Sequence, residues 1–152
     1  MNKIKIGIVG YGNLGKGVQY AAEQNKDMEV VAVFTRRSPE TVKTVLPVKV
    51  EKYENMKNYV GKIDVMILCG GSATDLPAQF AEIVKLFDTV DSFDTHARIP
   101  EYYAALDKSA KESDHLGAMS IGWDPGLFSL ARIYFGAALA EGNTYTFWGK
   151  GV

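Results

Sequence analysis

Short apolar runs alternate along this chain with stretches in which apolar residues recur at helical spacing. The runs predict strands at Lys3–Val9, Glu29–Phe34, Ile63–Cys69, Thr89–Phe93 and His115–Gly122. The helical spacing predicts helices at Gly12–Asn25, Ala73–Phe87, Pro100–Ser113 and Asp124–Gly142. The less regular stretch at 38–59 predicts a strand fragment, PVKVEKY, and a short helix after it. Strands that alternate with helices indicate an α/β fold with a doubly wound, mostly parallel sheet and helices on both faces.

Composition and charge narrow the class of protein. The chain has 152 residues, of which 47% are hydrophobic and 23% charged, and this suits one globular domain with a buried core. The net charge of -1 gives no basic surplus for nucleic acid or an anionic membrane, and no apolar run approaches the roughly 20 residues of a membrane span. The single cysteine, Cys69, permits no intramolecular disulfide, and no CxxC pair indicates a metal site. We therefore expect a cytoplasmic protein without nucleic-acid, membrane or metal partners.

A glycine-rich turn joins the first predicted strand to the first predicted helix. Gly10, Gly12 and Gly15 form the pattern GxGxxG within GYGNLG, and this pattern between a strand and a helix is the dinucleotide-binding fingerprint of Rossmann-type domains. The glycines permit the tight turn, the approach of a pyrophosphate to the backbone, and close packing of helix on strand. A tight turn without a ligand would use the same residues, but the strand and helix context favours nucleotide binding.

Two arginines stand where this fingerprint normally has an acid. An Asp or Glu about 20 residues beyond the glycine loop binds the ribose hydroxyls of NAD, but this chain has Thr35, Arg36 and Arg37 there. Arginine suits the 2′-phosphate of NADP, because its guanidinium donates fork-shaped, charge-assisted hydrogen bonds. The arginines favour NADP as the cofactor. The alternative is that they are only the solvated end of a strand.

Further motifs follow the third, fourth and fifth predicted strands, and ligands of open α/β sheets lie at such carboxyl ends. CGGSATD can pass under a cofactor, although Ser72 or Thr74 would serve equally as a helix N-cap. DSFDTH and GWDPG place Asp94 and Asp124 at neighbouring strand ends, where two carboxylates suit a cationic substrate. Asp124 before Pro125 is also a common helix N-cap with proline at the first helical position.

Four other side chains near these ends have two interpretations each. His96 is a candidate acid or base, but a lone histidine in a loop is more often structural. Cys69 at a buried strand end suits a small hydrophobe better than a nucleophile. Trp123 and Trp148 both adjoin a glycine, where a bulky ring lines a pocket or closes the core.

With GYGNLG, TRR, CGGSATD, DSFDTH, GWDPG and TFWG, the chain resembles the N-terminal half of the meso-diaminopimelate dehydrogenases over essentially its whole length. The resemblance implies NADP-dependent oxidative deamination of the D-centre of meso-2,6-diaminoheptanedioate to L-2-amino-6-oxoheptanedioate and ammonia. The reverse reaction is a reductive amination in the synthesis of lysine and peptidoglycan precursors. The resemblance also implies a homodimer. We expect residues 1–143 to form the NADP-binding domain and residues 144–152 to be the first strand leading into a substrate and dimerisation domain that is absent from this chain.

The resemblance also implies roles for individual residues. Contacts with the cofactor would come from residues after each predicted strand, namely Gly10, Tyr11, Gly12, Asn13, Leu14, Gly15, Thr35, Arg36, Arg37, Cys69, Gly70, Gly71, Ser72, Ser92, Phe93, Asp94, Ile121, Gly122, Trp123, Asp124 and Pro125. Asp94 and Asp124 would be the catalytic carboxylates and would hold the amino group at the D-centre. Trp123 and Trp148 would line the substrate pocket.

Two other functions share part of this pattern. Another NAD(P)-dependent reductase of the aspartate pathway, similar to dihydrodipicolinate reductase or homoserine dehydrogenase, would have the glycine loop without needing the DSFD and GWDPG motifs. A dinucleotide-sensing domain would bind the cofactor without catalysing a reaction. The fold alone does not separate these functions, because Rossmann-type domains host many of them.

Overall fold

The strands of the sheet are β1 (Ile4–Val9), β2 (Met28–Thr35), β3 (Lys49–Lys52), β4 (Val65–Leu68), β5 (Asp88–Asp91) and β6 (Gly117–Ala118). The helices are α1 (Asn13–Glu23), α2 (Asp75–Ile83), α3 (Ile99–Ser113) and α4 (Leu127–Ala138), with short 3₁₀ helices at Pro39–Thr41, Tyr53–Tyr59 and His96–Arg98. The structure is a computed structural model that describes residues 3–139. All six strands are parallel, in the order β3-β2-β1-β4-β5-β6. This is the order of a doubly wound Rossmann-type sheet, as predicted.

Apolar side chains on the two faces of the sheet form separate cores. Ile6 and Ile8 of β1 are buried in one core with Ala22 of α1, whereas Met66 of β4 is buried in the other with Phe80 of α2. Alternate residues of a strand point to opposite faces, and strands covered on both faces are apolar nearly throughout. The predicted placement of helices on both faces is therefore confirmed.

The fifth predicted strand, His115–Gly122, is much shorter in the structure. Only Gly117 and Ala118 pair with β5. Ser120 has a left-handed φ of 60°, and its N–H donates to the Asp91 carboxylate at 3.2 Å. In a continuing strand that N–H would point to a neighbouring backbone carbonyl. The chain therefore turns across the end of β5 and leads into the GWDPG segment.

The last helix begins later than the sequence pattern predicts. The prediction starts it at Asp124, but α4 starts at Leu127 with Gly126 as its N-cap. The alternative of Asp124 as an N-cap with Pro125 at the first helical position is therefore wrong. The Asp124 carboxylate instead accepts hydrogen bonds from Arg132, in the second turn of α4.

The irregular stretch at 38–59 contains both elements predicted for it. The strand fragment is β3, which pairs with β2 at the edge of the sheet, and the short helix after it is the 3₁₀ helix Tyr53–Tyr59. The predicted final strand, 144–152, and the end of the predicted last helix, 140–142, lie outside the described residues.

The direction of winding reverses between β1 and β4. From β1 the chain proceeds outward to β2 and β3 on one side, and it then returns to β4 and continues to β5 and β6 on the other. Connections from the two central strands leave in opposite directions, and this opens a crevice at their carboxyl ends. The motifs singled out in the sequence follow the carboxyl ends of strands, so the fold brings them to this one edge.

Candidate functional site

A cleft of about 340 Å³ lies at the carboxyl ends of β1, β2 and β4. The glycine loop, the arginines after β2 and the glycines after β4 share it. Its lining residues are Val9, Gly10, Tyr11, Gly12, Phe34, Thr35, Arg36, Arg37, Tyr53, Cys69, Gly70, Gly71, Asp75 and Gln79. The segment after β5 adjoins the cleft, because Asp94 N–H donates to Ser72 Oγ at 3.1 Å.

Glycine suits each of the three loop positions for a different structural reason. Gly10 has a φ of 87°, a left-handed conformation that glycine adopts more readily than any other residue. At Gly15 a Cβ would overlap the carbonyl oxygen of Gly10, so only glycine lets α1 pack this closely against the turn. At Gly12 a Cβ would meet no atom of the described residues within 4 Å. The open space above Gly12 is where the fingerprint brings a pyrophosphate close to the backbone.

The N-terminus of α1 lies directly beside this open space. Gly12 is its N-cap and makes no side-chain capping hydrogen bond. The first turn, which the structure describes in full, includes the exposed residues Asn13 and Leu14 and contains no acidic residue. Helix N-termini favour anions because their N–H groups lack intrahelical partners and carry partial positive charge. This end of α1 therefore suits the phosphates of a dinucleotide.

Tyr11 contributes its backbone to the cleft and its side chain to the core. The buried hydroxyl donates to Gln19 Oε1 and accepts a hydrogen bond of 2.9 Å from Val45 N–H. Gln19 in turn donates to the Leu46 carbonyl at 3.0 Å. These contacts, the Tyr11–Gln19 network, tie the glycine loop and α1 to the connection between β2 and β3. The sequence pattern did not predict them, and its one signal is a polar residue on the buried face of α1.

Arg36 and Arg37 both line the cleft, but they bind different partners. Arg37 Nη2 donates to the Tyr11 carbonyl at 3.0 Å, and Arg37 N–H donates to Thr35 Oγ1 at 3.1 Å. Arg36 Nη2 forms an ion pair of 2.6 Å with Asp75 Oδ1 at the start of α2. Both guanidinium groups are thus held at the wall of the cleft, and both residues are exposed there, so the alternative of a solvated strand end stays open.

The turn after β4 is fixed to the glycine loop, since Cys69 N–H donates to the Val9 carbonyl at 2.7 Å. Burial raises the pKa of the Cys69 thiol to about 12, so the thiol stays neutral and behaves as a small hydrophobe. Asp75, to which the sequence motifs gave no role, accepts the Gly71 N–H on Oδ2 at 3.2 Å. That hydrogen bond and the Arg36 guanidinium hold the pKa of Asp75 below its ordinary value.

Neither hydroxyl near the start of α2 caps the helix. Thr74 occupies the N-cap position without a capping hydrogen bond from its side chain. Ser72 Oγ instead accepts the Asp94 N–H. Thr74 is thus the N-cap residue by position, as the alternative predicts, whereas Ser72 is not and instead connects the turn after β4 with the segment after β5.

A buried carboxylate at the end of β5 organises the next segments. Asp91 Oδ1 accepts hydrogen bonds from Phe93 N–H at 2.9 Å and from Ser120 N–H at 3.2 Å, and Asp91 Oδ2 accepts one from the Tyr102 hydroxyl at 2.7 Å. Burial and the hydrogen bond to Asp91 raise the pKa of Tyr102. The Phe93 ring is fully buried and stacks on Tyr102 with 4.0 Å between centroids. Phe93 therefore has only its backbone available for the predicted contact with a cofactor.

The segments after β5 and β6 lie side by side, as neighbouring strand ends require. A Cβ at Gly122 would come within 3.6 Å of Ser92 Cβ, and His96 Nε2 lies 3.8 Å from Asp124 Oδ1. Asp94 is exposed in the first of these segments. The structure thus places Asp94 and Asp124 on adjoining segments, and the Asp94 segment is joined to the turn at the cleft through Ser72.

Asp124 is held by a cation that the sequence motifs did not include. Arg132 Nη1 and Nη2 donate to Asp124 Oδ1 and Oδ2, each at 2.9 Å, in a bidentate pair. These hydrogen bonds, and to a smaller degree the nearby His96, keep the pKa of Asp124 below its ordinary value. The only signal in the sequence was a cation two helical turns after the DPG turn.

The remaining predicted residues surround Asp124. Gly122 N–H donates to the Pro125 carbonyl at 3.2 Å and closes the turn. Ile121 and Trp123 are more than half exposed, and the Trp123 ring lies 5.7 Å from the Phe128 ring between centroids. Trp148 lies outside the described residues.

The described range contains neither a metal site nor a membrane span. Within residues 3–139, no group of His, Cys, Asp and Glu side chains could hold a metal ion. No helix in that range is long and apolar enough to cross a membrane.

A doubly wound parallel sheet with a glycine loop and a cleft at its switch point defines a nicotinamide-dinucleotide-binding Rossmann domain. The family model described as an oxidoreductase family with an NAD-binding Rossmann fold matches residues 4–88, and the chain belongs to this family. A second model, the diaminopimelic acid dehydrogenase C-terminal domain, matches residues 122–152.

Similar proteins carry the name that the sequence motifs suggested. A meso-diaminopimelate D-dehydrogenase of Ureibacillus thermosphaericus is 59% identical over the whole chain, which covers 47% of that protein. A mutant meso-diaminopimelate dehydrogenase from Clostridium tetani E88, solved with DAP, is 51% identical with a TM-score of 0.87 over 98% of this chain and 46% of that one. An engineered D-amino acid dehydrogenase bound to NADP+ is 38% identical, with a TM-score of 0.83 over 92% of this chain and 43% of that one.

The resemblance to the meso-diaminopimelate dehydrogenases is thereby confirmed. The chain spans about half the length of the curated relatives it matches. A homoserine dehydrogenase from S. aureus is only 16% identical with a TM-score of 0.64, so that similarity is one of fold alone.

Proposed function

We propose that this chain is the cofactor-binding part of an NADP-dependent meso-diaminopimelate dehydrogenase. The reaction converts meso-2,6-diaminoheptanedioate, NADP+ and water into L-2-amino-6-oxoheptanedioate, ammonia, NADPH and a proton. The reverse reaction is a reductive amination, a step toward lysine and peptidoglycan precursors. The names of the similar proteins support this activity.

The observation that carries the proposal is a cleft that combines a glycine loop with two arginines and has two carboxylates on the adjoining segments. The glycine loop and the N-terminus of α1 suit a pyrophosphate. Arg36 and Arg37 suit the dianionic 2′-phosphate that distinguishes NADP from NAD. Asp94 and Asp124 suit the cationic amino group of the substrate.

The residues present fit the cofactor. The open space at Gly12 leaves room for the pyrophosphate, and Arg37 is held in place by the Tyr11 carbonyl, a neutral acceptor that leaves the cation uncompensated for a phosphate. When bound, the nicotinamide exchanges a hydride with the carbon that carries the amino group. The share of the chain is to position and orient the reactants.

The two carboxylates have different roles toward the amino group: Asp124 binds it and Asp94 accepts its proton. Both oxygens of Asp124 are hydrogen-bonded to Arg132, which keeps the pKa of Asp124 low, so Asp124 stays ionised and shares its charge between Arg132 and the ammonium group. Asp94 is exposed, is fixed through its backbone by Ser72, and takes the amino proton. The hydrogen bond from its backbone to Ser72, which follows the cleft-lining Gly71, supports a proton transfer near the cleft.

The other candidate functions fit fewer of these features. A reductase of the homoserine dehydrogenase type has no need for Asp94 and Asp124 as paired carboxylates. A dinucleotide-sensing domain needs the cleft but not the Arg132 contact that keeps Asp124 ionised.

Cofactor choice is tested by titrating the 152-residue chain with NADPH and with NADH at equal ionic strength, following tryptophan fluorescence. We expect tighter binding of NADPH. Arg37→Ala should lower NADPH affinity about tenfold or more and leave NADH affinity nearly unchanged, because a charge-assisted hydrogen bond contributes about 1.5–3 kcal/mol. Lys85→Ala removes a cation outside the cleft lining and is the matched control. Equal affinities for the two cofactors would contradict the proposal.

The reaction is tested in the longest form of the protein that its gene encodes. NADPH and ammonia should form in a ratio of about one to one from meso-diaminopimelate and NADP+. The LL-isomer lacks a D-centre and should give neither product, and homoserine should be no substrate. Oxidation of homoserine in place of meso-diaminopimelate would favour the reductase alternative, and cofactor binding without any product would favour the sensing domain.

The homodimer and the division at residue 143 stay predictions from the resemblance, and the cytoplasmic location stays a prediction from the composition. Trp123 and Trp148 as walls of the substrate pocket also stay predictions.

A further inference from the structure

The two arginines of the cleft differ in the charge of the group that holds them. Arg37 is bound to a neutral backbone carbonyl, that of Tyr11. Arg36 is bound to a carboxylate, that of Asp75, at 2.6 Å. A cation beside a neutral acceptor keeps its full charge for an incoming phosphate, whereas a cation beside an anion is already partly neutralised.

Asp75 is fixed in this position from two sides. Its Oδ1 accepts from Arg36, and its Oδ2 accepts the Gly71 N–H at 3.2 Å. The Asp75 side chain is 27% exposed and that of Arg36 is 62% exposed. The backbone of the turn approaches closely, since a Cβ at Gly70 would come within 2.7 Å of Asp75 Cβ. The Asp75 carboxylate is therefore held in place as a negative charge in the wall of the cleft.

This carboxylate lies in a different place from the acid of the dinucleotide-binding fingerprint. The fingerprint supplies an acid at the end of the second strand, where it accepts the ribose hydroxyls of NAD. Here that strand end has arginines, and α2 brings an acid into the same cleft from the other side. A carboxylate is an acceptor for ribose hydroxyls and repels a phosphate.

We propose that Asp75 is a specificity-determining residue that weakens the preference for NADP over NAD by competing with the 2′-phosphate for Arg36. This inference rests on the proposed function, because it presupposes that Arg36 and Arg37 bind the 2′-phosphate. Arg37 then provides most of the phosphate recognition. Arg36 binds the phosphate only when its ion pair with Asp75 is broken or weakened. Tyr53 also interacts with this pair. Burial raises the pKa of Tyr53, and the nearby Arg36 partly offsets that rise.

The test is the Asp75→Asn variant of the 152-residue chain, titrated with NADPH and NADH by fluorescence quenching. Asparagine keeps the size of the side chain and an oxygen that accepts the Gly71 N–H, and it removes the charge. NADPH should bind about three- to tenfold more tightly, as expected for removing an anion near a dianion, and NADH should bind equally or more weakly. The ratio of the two affinities should therefore rise. Asp107→Asn on α3, which pairs with Lys111 outside the cleft, is the matched control and should change neither affinity.

A second variant separates competition from other roles of Asp75. In an Arg36→Ala background, Asp75→Asn should improve NADPH binding by a smaller factor than in the wild-type chain, because the competition for Arg36 no longer exists. The same improvement in both backgrounds would overturn the proposal. So would a loss of NADPH affinity in Asp75→Asn, since it would show that Asp75 orients Arg36 for the phosphate.

The outcomes distinguish this inference from the proposed function. If the wild-type chain prefers NADPH and Arg37→Ala removes that preference, the proposed cofactor stands whatever Asp75→Asn does. An unchanged affinity ratio in Asp75→Asn then overturns the inference alone. If the wild-type chain binds both cofactors equally, the proposed cofactor and the inference fall together.

Discussion

Charged side chains at the edge of the cleft are held in pairs. Arg36 is bound to Asp75, and Asp124 is bound to Arg132. All four side chains are partly exposed, and an exposed ion pair contributes only about 0–1 kcal/mol to stability. These pairs therefore matter more for the site than for the fold, because they fix the positions of these side chains and hold the pKa values of Asp75 and Asp124 below their ordinary values.

At this scale, Arg132→Gln should change the pH dependence of the reaction. Arg132 holds the pKa of Asp124 below its ordinary value of 3.8, so Asp124 stays ionised as the pH falls toward that lowered value. Without Arg132 the pKa rises, and Asp124 loses its charge at a higher pH. The acid limb of the kcat/KM profile for meso-diaminopimelate should therefore move to higher pH, measured in the longest form of the protein.

The control for this prediction is Lys111→Gln, which removes a cation from a surface pair on α3. Its acid limb should coincide with that of the wild type. An acid limb of Arg132→Gln that stays in place would show that a group other than Asp124, such as the proton acceptor Asp94, sets it.

The elements of the fold are joined at the site by buried polar groups. The Tyr11–Gln19 network links the glycine loop and α1 to the chain after β2, and Asp91 links β5 to the segment after β6. A buried polar group that loses its partner costs about 1–3 kcal/mol. These two clusters therefore fix how the loops sit relative to one another more firmly than surface contacts do.

Tyr11→Phe is the corresponding prediction for an element. Phenylalanine fits the same space but leaves Gln19 Oε1 and Val45 N–H without the tyrosine hydroxyl. The free energy of unfolding should fall by about 1–3 kcal/mol, measured by urea denaturation. Tyr20→Phe on the exposed face of α1 is the matched control and should change it by less than about 0.5 kcal/mol. An equally stable Tyr11→Phe variant would mean that these contacts contribute little to the fold.

The whole molecule couples cofactor binding to folding, because the cleft is assembled from residues after three strands and none of its walls exists in the unfolded chain. A ligand that binds only the folded state stabilises it by mass action.

The last helix adds a second feature at this scale, since Leu127, Leu130 and Ile133 of α4 are more than half exposed. An exposed apolar row of this kind is typical of a surface that another domain or subunit covers.

At this scale, NADPH should raise the melting temperature of the 152-residue chain. At a concentration of about 100 times its Kd, the stabilisation should be about 2.7 kcal/mol, measured by thermal unfolding followed by circular dichroism. Arg37→Ala should show a smaller rise at the same NADPH concentration. A melting temperature that does not respond to saturating NADPH would mean that the cleft is not the binding site.

Much of the fold and part of the site could be predicted from the sequence. The apolar patterns of strands and helices and the glycines at turns are local signals. The strands around the glycine loop, the helices on both faces and the parallel sheet were therefore all predictable. The short β6 was not, because Ser120 N–H binds the Asp91 carboxylate 29 positions away. The late start of α4 was not either, because Asp124 binds the Arg132 side chain eight positions on and does not cap the helix. Such side-chain contacts override local preference.

The sequence by itself determined which chemical groups come to the carboxyl edge of the sheet, since each motif directly follows a strand and parallel strands all end at one edge. Only the tertiary structure decided how these groups are paired: Arg36 with Asp75 across 39 positions, Asp94 with Ser72 across 22, and Asp124 with Arg132 instead of with the helix N-terminus. The physical reason is that a motif is a local property of the chain, whereas the partner of a charge depends on which elements the fold packs side by side.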